Sequence, residues 1–323
     1  MKLTLLLRRI VLFAILPVTL LIVSGLAWLR WEAHQNRDDW FEARHGELVG
    51  IATEKATTEF GQLAESVTLQ SSSGLRVVLR VIRAQGNNDR RPVLLVLGGH
   101  RTGSDAVDLF GRVGNEAVVG IDYPYDGPEK VRGMRQSIEA LPAARAAFLD
   151  TVPAVSLVID WLLAQPWVDK DGIIIVGASL GVPFAATAAA RDTRISGAML
   201  VHGAADNRLW LEAQVARRID VPITHYPVSV LLHWLAYGPL FDTSKQVAAI
   251  APRPIVIVGA RDDERTPAGQ SELLFAAAGN PKRLFYTDGA HIEPDRTDIV
   301  AALLRIARDE LPFLTATYKK PAQ

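Results

Sequence analysis

The segment Gly177-Ala178-Ser179-Leu180-Gly181 sets a serine between two glycines, directly after the apolar run IIIV at 173–176. A serine held on a sharp strand-to-helix turn is placed to attack a carbonyl carbon. Glycines two residues away on either side remove side chains that would collide where strand and helix nearly touch. The N–H groups and dipole of the helix opening there face the point where negative charge develops. Such a serine also needs a base to take its proton and a carboxylate to orient that base. Two segments carry the required residue types. Asp262 and Asp263 follow the apolar run IVIVG, and His291 closes the loop Asp288-Gly289-Ala290 after the run KRLFYT.

Other chemistries lack their residues. The chain has no cysteine, so disulfides, thiolate metal sites and a cysteine nucleophile are out. No HxxxH or HxH pair occurs, and no metal or other cofactor is expected. LGGHRTG at 97–103 lacks the Gly-Lys-Ser/Thr of a phosphate loop. Lys plus Arg and Asp plus Glu both number 35, so no basic excess points to nucleic acid.

The elements that must position these residues alternate along the chain. SVTLQ and LRVVLRVIRA, joined by SSSG, predict a β-hairpin. PVLLVLGG, AVVGIDYPY, GIIIVGAS, SGAMLVHGAAD, PRPIVIVGARDD and KRLFYTDGAH read as strands. Helical segments separate most of them. One runs from 129 to 165 with expected breaks at Pro142 and Pro153, and a last one spans 294–310. This alternation predicts an α/β fold with a mostly parallel central sheet and helices on both faces. One stretch, about 205–250, is too long for a simple crossover and reads as a helical insertion. Its Trp210, Tyr226, Trp234, Tyr237 and Phe241 suit the filling of a helical subdomain, a lid or acyl pocket, or a membrane contact.

The N-terminus adds a membrane signal. Residues 10–29 carry no charge, and twenty helical residues rise about 30 Å, one hydrocarbon thickness. Lys2, Arg8 and Arg9 precede them, which predicts an N-terminus inside and the rest of the chain outside. One N-terminal transmembrane helix at 1–31 is the expectation. The alternative is a cleaved signal peptide, with Gly25 and Ala27 at its cleavage site and a secreted or periplasmic product. Residues 32–64 read as a linker or helical segment, 65–315 as the catalytic domain and 316–323 as a tail.

From about Ser66 to Leu314 the sequence resembles the α/β-hydrolase superfamily, and QPWVDKDGIIIVGASLG is most similar to its dienelactone-hydrolase and prolyl-oligopeptidase-like branches. The resemblance implies the chain order nucleophile, acid, base. That order selects Ser179, then an aspartate, then His291. His34, His45, His100, His202, His225 and His233 are left to surface or core roles. Asp262, three residues after Gly259, matches the acid of similar motifs, and Asp263 is the alternative; the other one would cap the following helix. The oxyanion donors implied are the N–H of Leu180 and one at His100 or Arg101 in the glycine loop. Tyr123, Tyr125 and Asp126 follow a strand and could face the cleft or serve structure. The implied activity is that of a membrane-anchored serine esterase acting on a small-molecule or lipid-like acyl substrate through an acyl-enzyme. Alternatives are a thioesterase, acyltransferase or peptidase on the same triad, or a membrane-tethered binding protein that keeps the fold without catalysis.

Overall fold

The computed structural model describes residues 13, 15–58, 60–85, 89–99, 102–128 and 130–316. Lys2, Arg8, Arg9, His100, Arg101 and all but the first residue of the expected tail lie outside these. The chain begins with α1 (Leu16–Ala33), α2 (Asp38–His45) and the strands β1 (Leu48–Thr57), β2 (Leu63–Ser71), β3 (Arg76–Arg83) and β4 (Arg91–Leu97). A 3-10 helix (Ser104–Phe110), β5 (Ala117–Ile121), α3 (Gly133–Leu163), β6 (Val168–Ala178), α4 (Gly181–Arg191) and β7 (Gly197–Val201) follow. Then come α5 (Asn207–Ala216), α6 (His225–Leu235), α7 (Thr243–Ile250), β8 (Ile255–Ala260), α8 (Gln270–Ala277), β9 (Lys282–Thr287) and α9 (Thr297–Leu314).

Nine strands form one sheet in the order β1-β2-β3-β5-β4-β6-β7-β8-β9. From β5 across to β9 every pairing is parallel, and β1, β2 and β3 join at one end as antiparallel neighbours. Chain progression reverses at β4, which lies between β5 and β6. Ligands of open α/β sheets bind outside the carboxyl ends of the strands at such a switch point. The loop after β4 and the turn after β6 are the segments carrying Gly98-Gly99 and Ser179.

Strand side chains alternate between the two faces. Leu95, Ile175, Leu200 and Ile257 pack on one face beneath α3, α4 and α7. Val96, Val176, Met199 and Val258 pack on the other. The cover on this second face comes from the short 3-10 helix and from α9, whose Ile299, Val300, Leu303, Ala307, Glu310 and Leu314 recur at helical spacing and are buried.

One expectation needs correction. Helix α3 is continuous over 31 residues although Pro142 and Pro153 lie inside it. Each proline removes one backbone bond. Around Pro153 the buried Val152, Ala154, Val155 and Leu157 pack in the core and carry the helix across it. This helix is long and apolar enough to span a membrane, but 72% of its most apolar window is buried, so it is a core helix. By the same measure α1 is 11% buried, and its apolar surface faces outward. Within residues 32–64, read as a linker or helical segment, lie α2 and also the edge strand β1.

The 205–250 segment is helical. Its α6 contacts α1. At that junction Glu32 accepts from Arg37 and from Arg145, each at 2.5 Å. Arg145 also donates to Leu235 O and to the Tyr237 hydroxyl, both at 2.8 Å. The end of α1 is therefore fastened to α3 and to the insertion.

Candidate active site

The turn at Ser179 has the geometry its glycines predict. Ser179 has φ +53°, in the left-handed region that L-residues avoid. Such a conformation costs about 1–3 kcal/mol and persists only where packing enforces it. A Cβ on Gly177 would sit 2.6 Å from Ala185 Cβ, and one on Gly181 would collide with Leu97 O and come within 2.9 Å of Gly98 O. The other two non-glycine residues with positive φ among those described are His202 and Tyr237, one beside this turn and one in the insertion.

His291 Nε2 lies 2.7 Å from Ser179 Oγ. Its Nδ1 lies 2.9 and 3.0 Å from the two carboxylate oxygens of Asp263. The residue at His291 is therefore Asp263 and not Asp262, the aspartate preferred from sequence. The pleat explains the difference. Arg261 and Asp262 extend the β8–β9 ladder, their N–H groups donating to Thr287 O and Gly289 O. Asp262 ends up exposed, and the next side chain turns inward. Asp263 also accepts from the N–H of Arg265 at 2.9 Å and of Thr266 at 2.7 Å, so it takes the turn-capping role as well. Burial would raise its carboxyl. Hydrogen bonding and charge from His291, with those two backbone donors, outweigh this and hold it below the usual carboxylate range.

The loop bearing His291 is tied down on every side. Its own N–H donates to Glu264 at 2.9 Å and its carbonyl accepts from Arg296 at 2.6 Å. The next N–H, of Ile292, donates to His202 Nδ1 at 2.8 Å. His202, 1% exposed, has its Nε2 3.0 Å from Thr287 Oγ1. With Nδ1 accepting, Nε2 carries the proton and donates, so the ring is neutral. Burial, with the neighbouring His291, pushes its pKa down to about 4. Sequence alone assigns His202 a surface or core role. Its place at the carboxyl end of a strand, next to those carrying Ser179 and Asp263, was the available signal.

His202, Asp263 and His291 bring possible metal-ligating atoms within 4.8 Å of one another. Those atoms are already engaged with Ile292, Thr287 and each other, so a metal would have to displace the relay.

Of the two expected oxyanion donors, Leu180 opens α4 with helical φ −57° and ψ −28°. The first N–H groups of a helix have no intrahelical acceptor. His100 and Arg101 lie outside the described residues. Gly99, which leads to them, sits against Ser179, because a Cβ on it would be 3.5 Å from Ser179 Cβ. Gly99 N–H donates to Thr102 Oγ1 at 3.0 Å, and the Tyr123 hydroxyl donates to Gly98 O at 2.7 Å. Tyr123 thus props this loop and packs its ring edge-on to Phe184 at 5.8 Å. Tyr125 bonds Pro128 O, and Asp126 is exposed.

Ser179 faces two cavities. One, about 620 Å³ with its mouth, is walled by Phe148, Phe184, Trp210, His233 and Phe241 under the insertion. The other, about 930 Å³ with its mouth, runs between the second sheet face, the 3-10 helix and α9. Of the insertion aromatics, Trp210 and Phe241 line the first cavity, while Tyr226 is 61% exposed and Tyr237 is bonded to Arg145.

This sheet order, with the Ser179 turn after β6, is the α/β-hydrolase fold. No protein-family model and no curated protein matches the sequence. Solved structures do share the fold. Acetyl xylan esterase 1 from Thermoanaerobacterium sp. JW/SL YS485 superposes with a TM-score of 0.59 at 18% identity, over 90% of this chain and 99% of its own. An acetyl xylan esterase from Paenibacillus sp. R4 gives 0.63 at 14% identity, over 87% and 98%. A glucuronoyl esterase from Solibacter usitatus gives 0.54 at 14%, over 85% and 91%.

Proposed function

We propose that this chain is a serine hydrolase of carboxylic esters, held at a membrane by α1. The observation that carries the reading is the unbroken relay Asp263–His291–Ser179, set on a serine in the left-handed region. His291 Nε2 accepts the Ser179 proton as Oγ bonds to the ester carbon, and the carbonyl pair moves to oxygen. The Leu180 N–H and the glycine loop stabilise that oxyanion. As it collapses, the C–O bond to the alcohol breaks and His291 returns the proton to the leaving oxygen. A water then attacks the acyl-enzyme with His291 again as base, releasing the acid and free Ser179. Asp263 keeps the Nδ1 proton in place and stabilises the imidazolium. The esterase neighbours support ester cleavage within this fold. Membrane attachment is supported by the outward apolar surface of α1, with the catalytic domain on the extracytoplasmic side.

A fluorophosphonate probe tests the reading on the full chain beside Ser179→Ala and His291→Ala, each confirmed as folded. Labelling of the parent with loss in both variants is the expected result. A folded parent that stays unlabelled would sink it and favour a binding protein. Membrane attachment is tested by carbonate extraction, and a periplasmic-active reporter fused at the C-terminus tests the side.

A further inference from the structure

We infer that the cleft between the sheet and α9 is a channel for an extended aliphatic chain, so that the substrates are esters bearing such a chain rather than simple acetyl esters. The inference rests on Ser179 being the nucleophile.

The channel follows from how the second face is covered. The first face is closed by full helices, and Leu95 and Ile175 on it are 0% exposed. On the second face the 3-10 helix is seven residues long, about 14 Å, and leaves a gap to α9. The side chains bordering that gap keep a trace of exposure. Val96 is 5%, Val176 7%, Leu303 6% and Ala307 5% exposed, although each belongs to the core. Solvent therefore reaches inside the sheet–helix layer here. Packed interiors hold few voids larger than a water molecule, so an apolar cleft running between these layers and opening at Ser179 is a formed feature. From Val300 to Ala307 its α9 wall advances about 10 Å along the helix.

The lining sets the ligand. Beyond the mouth, where Arg265 pairs with Glu293, the walls are Val, Leu, Ala, Phe and Met side chains. A sugar hydroxyl inside would have few partners and would lose its water. A linear alkyl chain loses only unfavourable hydration, and each methylene taken up should raise kcat/KM about fourfold. The second cavity, beneath the insertion, receives the other side of the ester.

The test uses the full chain in lipid nanodiscs and two ester series. One lengthens the acyl group from p-nitrophenyl acetate to decanoate; the other lengthens the alcohol from methyl to octyl acetate. Expected is a stepwise rise in kcat/KM along one series, which also identifies the half of the ester that enters the channel. Leu304→Trp, on the half-buried wall of α9, should lower the long-to-short ratio of that series at least tenfold. Ala307→Leu is the milder second variant and should shift the preferred length downward. Intact fluorophosphonate labelling with the shortest member preferred in both series, or with length profiles unchanged in both variants, overturns the channel and leaves the hydrolase. Loss of labelling in the folded parent overturns both together.

Discussion

His202 Nδ1 accepts the Ile292 N–H at 2.8 Å, so a second histidine fastens the loop on which His291 sits. The bond exists only while His202 is neutral there. Like Ser179 it stands at positive φ, so the main chain is bent at both residues to bring their side chains to the loop.

The pH dependence of stability should therefore fall in a defined window. Burial lowers the folded-state pKa of His202 to about 4, from about 6.5 in the unfolded chain. Above that upper value neither state binds the proton and the contribution is complete. As pH falls from about 6.5 to about 4 the unfolded chain takes up a proton that the fold refuses, at up to about 1.4 kcal/mol per unit. His291, Asp263 and Glu264 face the same ring, so the variant comparison matters. In His202→Asn, which tolerates positive φ, urea midpoints should vary less with pH across this window. An unchanged slope would remove His202 from the account.

Asp263→Asn should cut kcat by about 10³–10⁴-fold, because the amide permits the wrong imidazole tautomer. Asp262→Asn should change it by less than about threefold, since its exposed carboxylate makes no contact with the base. Steady-state kinetics on one short ester decides between them. The opposite ranking would mean that the loop rearranges on binding substrate.

Tyr123→Phe removes the hydroxyl that holds Gly98 O. Its burial pushes the phenol above its ordinary range, so it is a neutral donor at any working pH. Expected is a kcat loss of about tenfold, equal to about 1.4 kcal/mol, with little change in KM. Equal loss in an unrelated stability assay, without a kcat effect, would make the residue purely structural.

Glu32→Gln should loosen α1 from the insertion. It leaves the half-buried Arg145 and Arg37 without their shared carboxylate, at a cost of about 1–3 kcal/mol by urea unfolding. A chain starting at Glu32 keeps the pair, and one starting at Asp38 loses it. The two fragments should differ by a similar amount.

Much of this was legible because it repeats with a period. The parallel strands announced themselves as short apolar runs ending in glycine, and Ser179 and His291 stood at the ends of two of them. β1 did not, because LVGIATEKAT is exposed over most of its length and lacks an apolar face. Asp262 and Asp263 differ by one step of the pleat, which depends on ladder bonds to Thr287 and Gly289 that no local pattern encodes. The prolines of α3 each cost a backbone bond without ending the helix, and at Pro153 burial in the core outweighs that loss. The channel beside α9 arises from a missing length of helix after Gly103, invisible until the sheet is assembled.

Ser179 and His291 are separated by 112 positions, and β9 and α9 come last in the chain. At synthesis rates of about 5–20 residues per second, the serine leaves the ribosome roughly ten seconds before its base. Throughout that interval the hydroxyl has nothing to take its proton. Under the proposed mechanism nascent and C-terminally truncated molecules would be chemically silent, and reactivity would arrive as one late event, when the final strand slots beside β8.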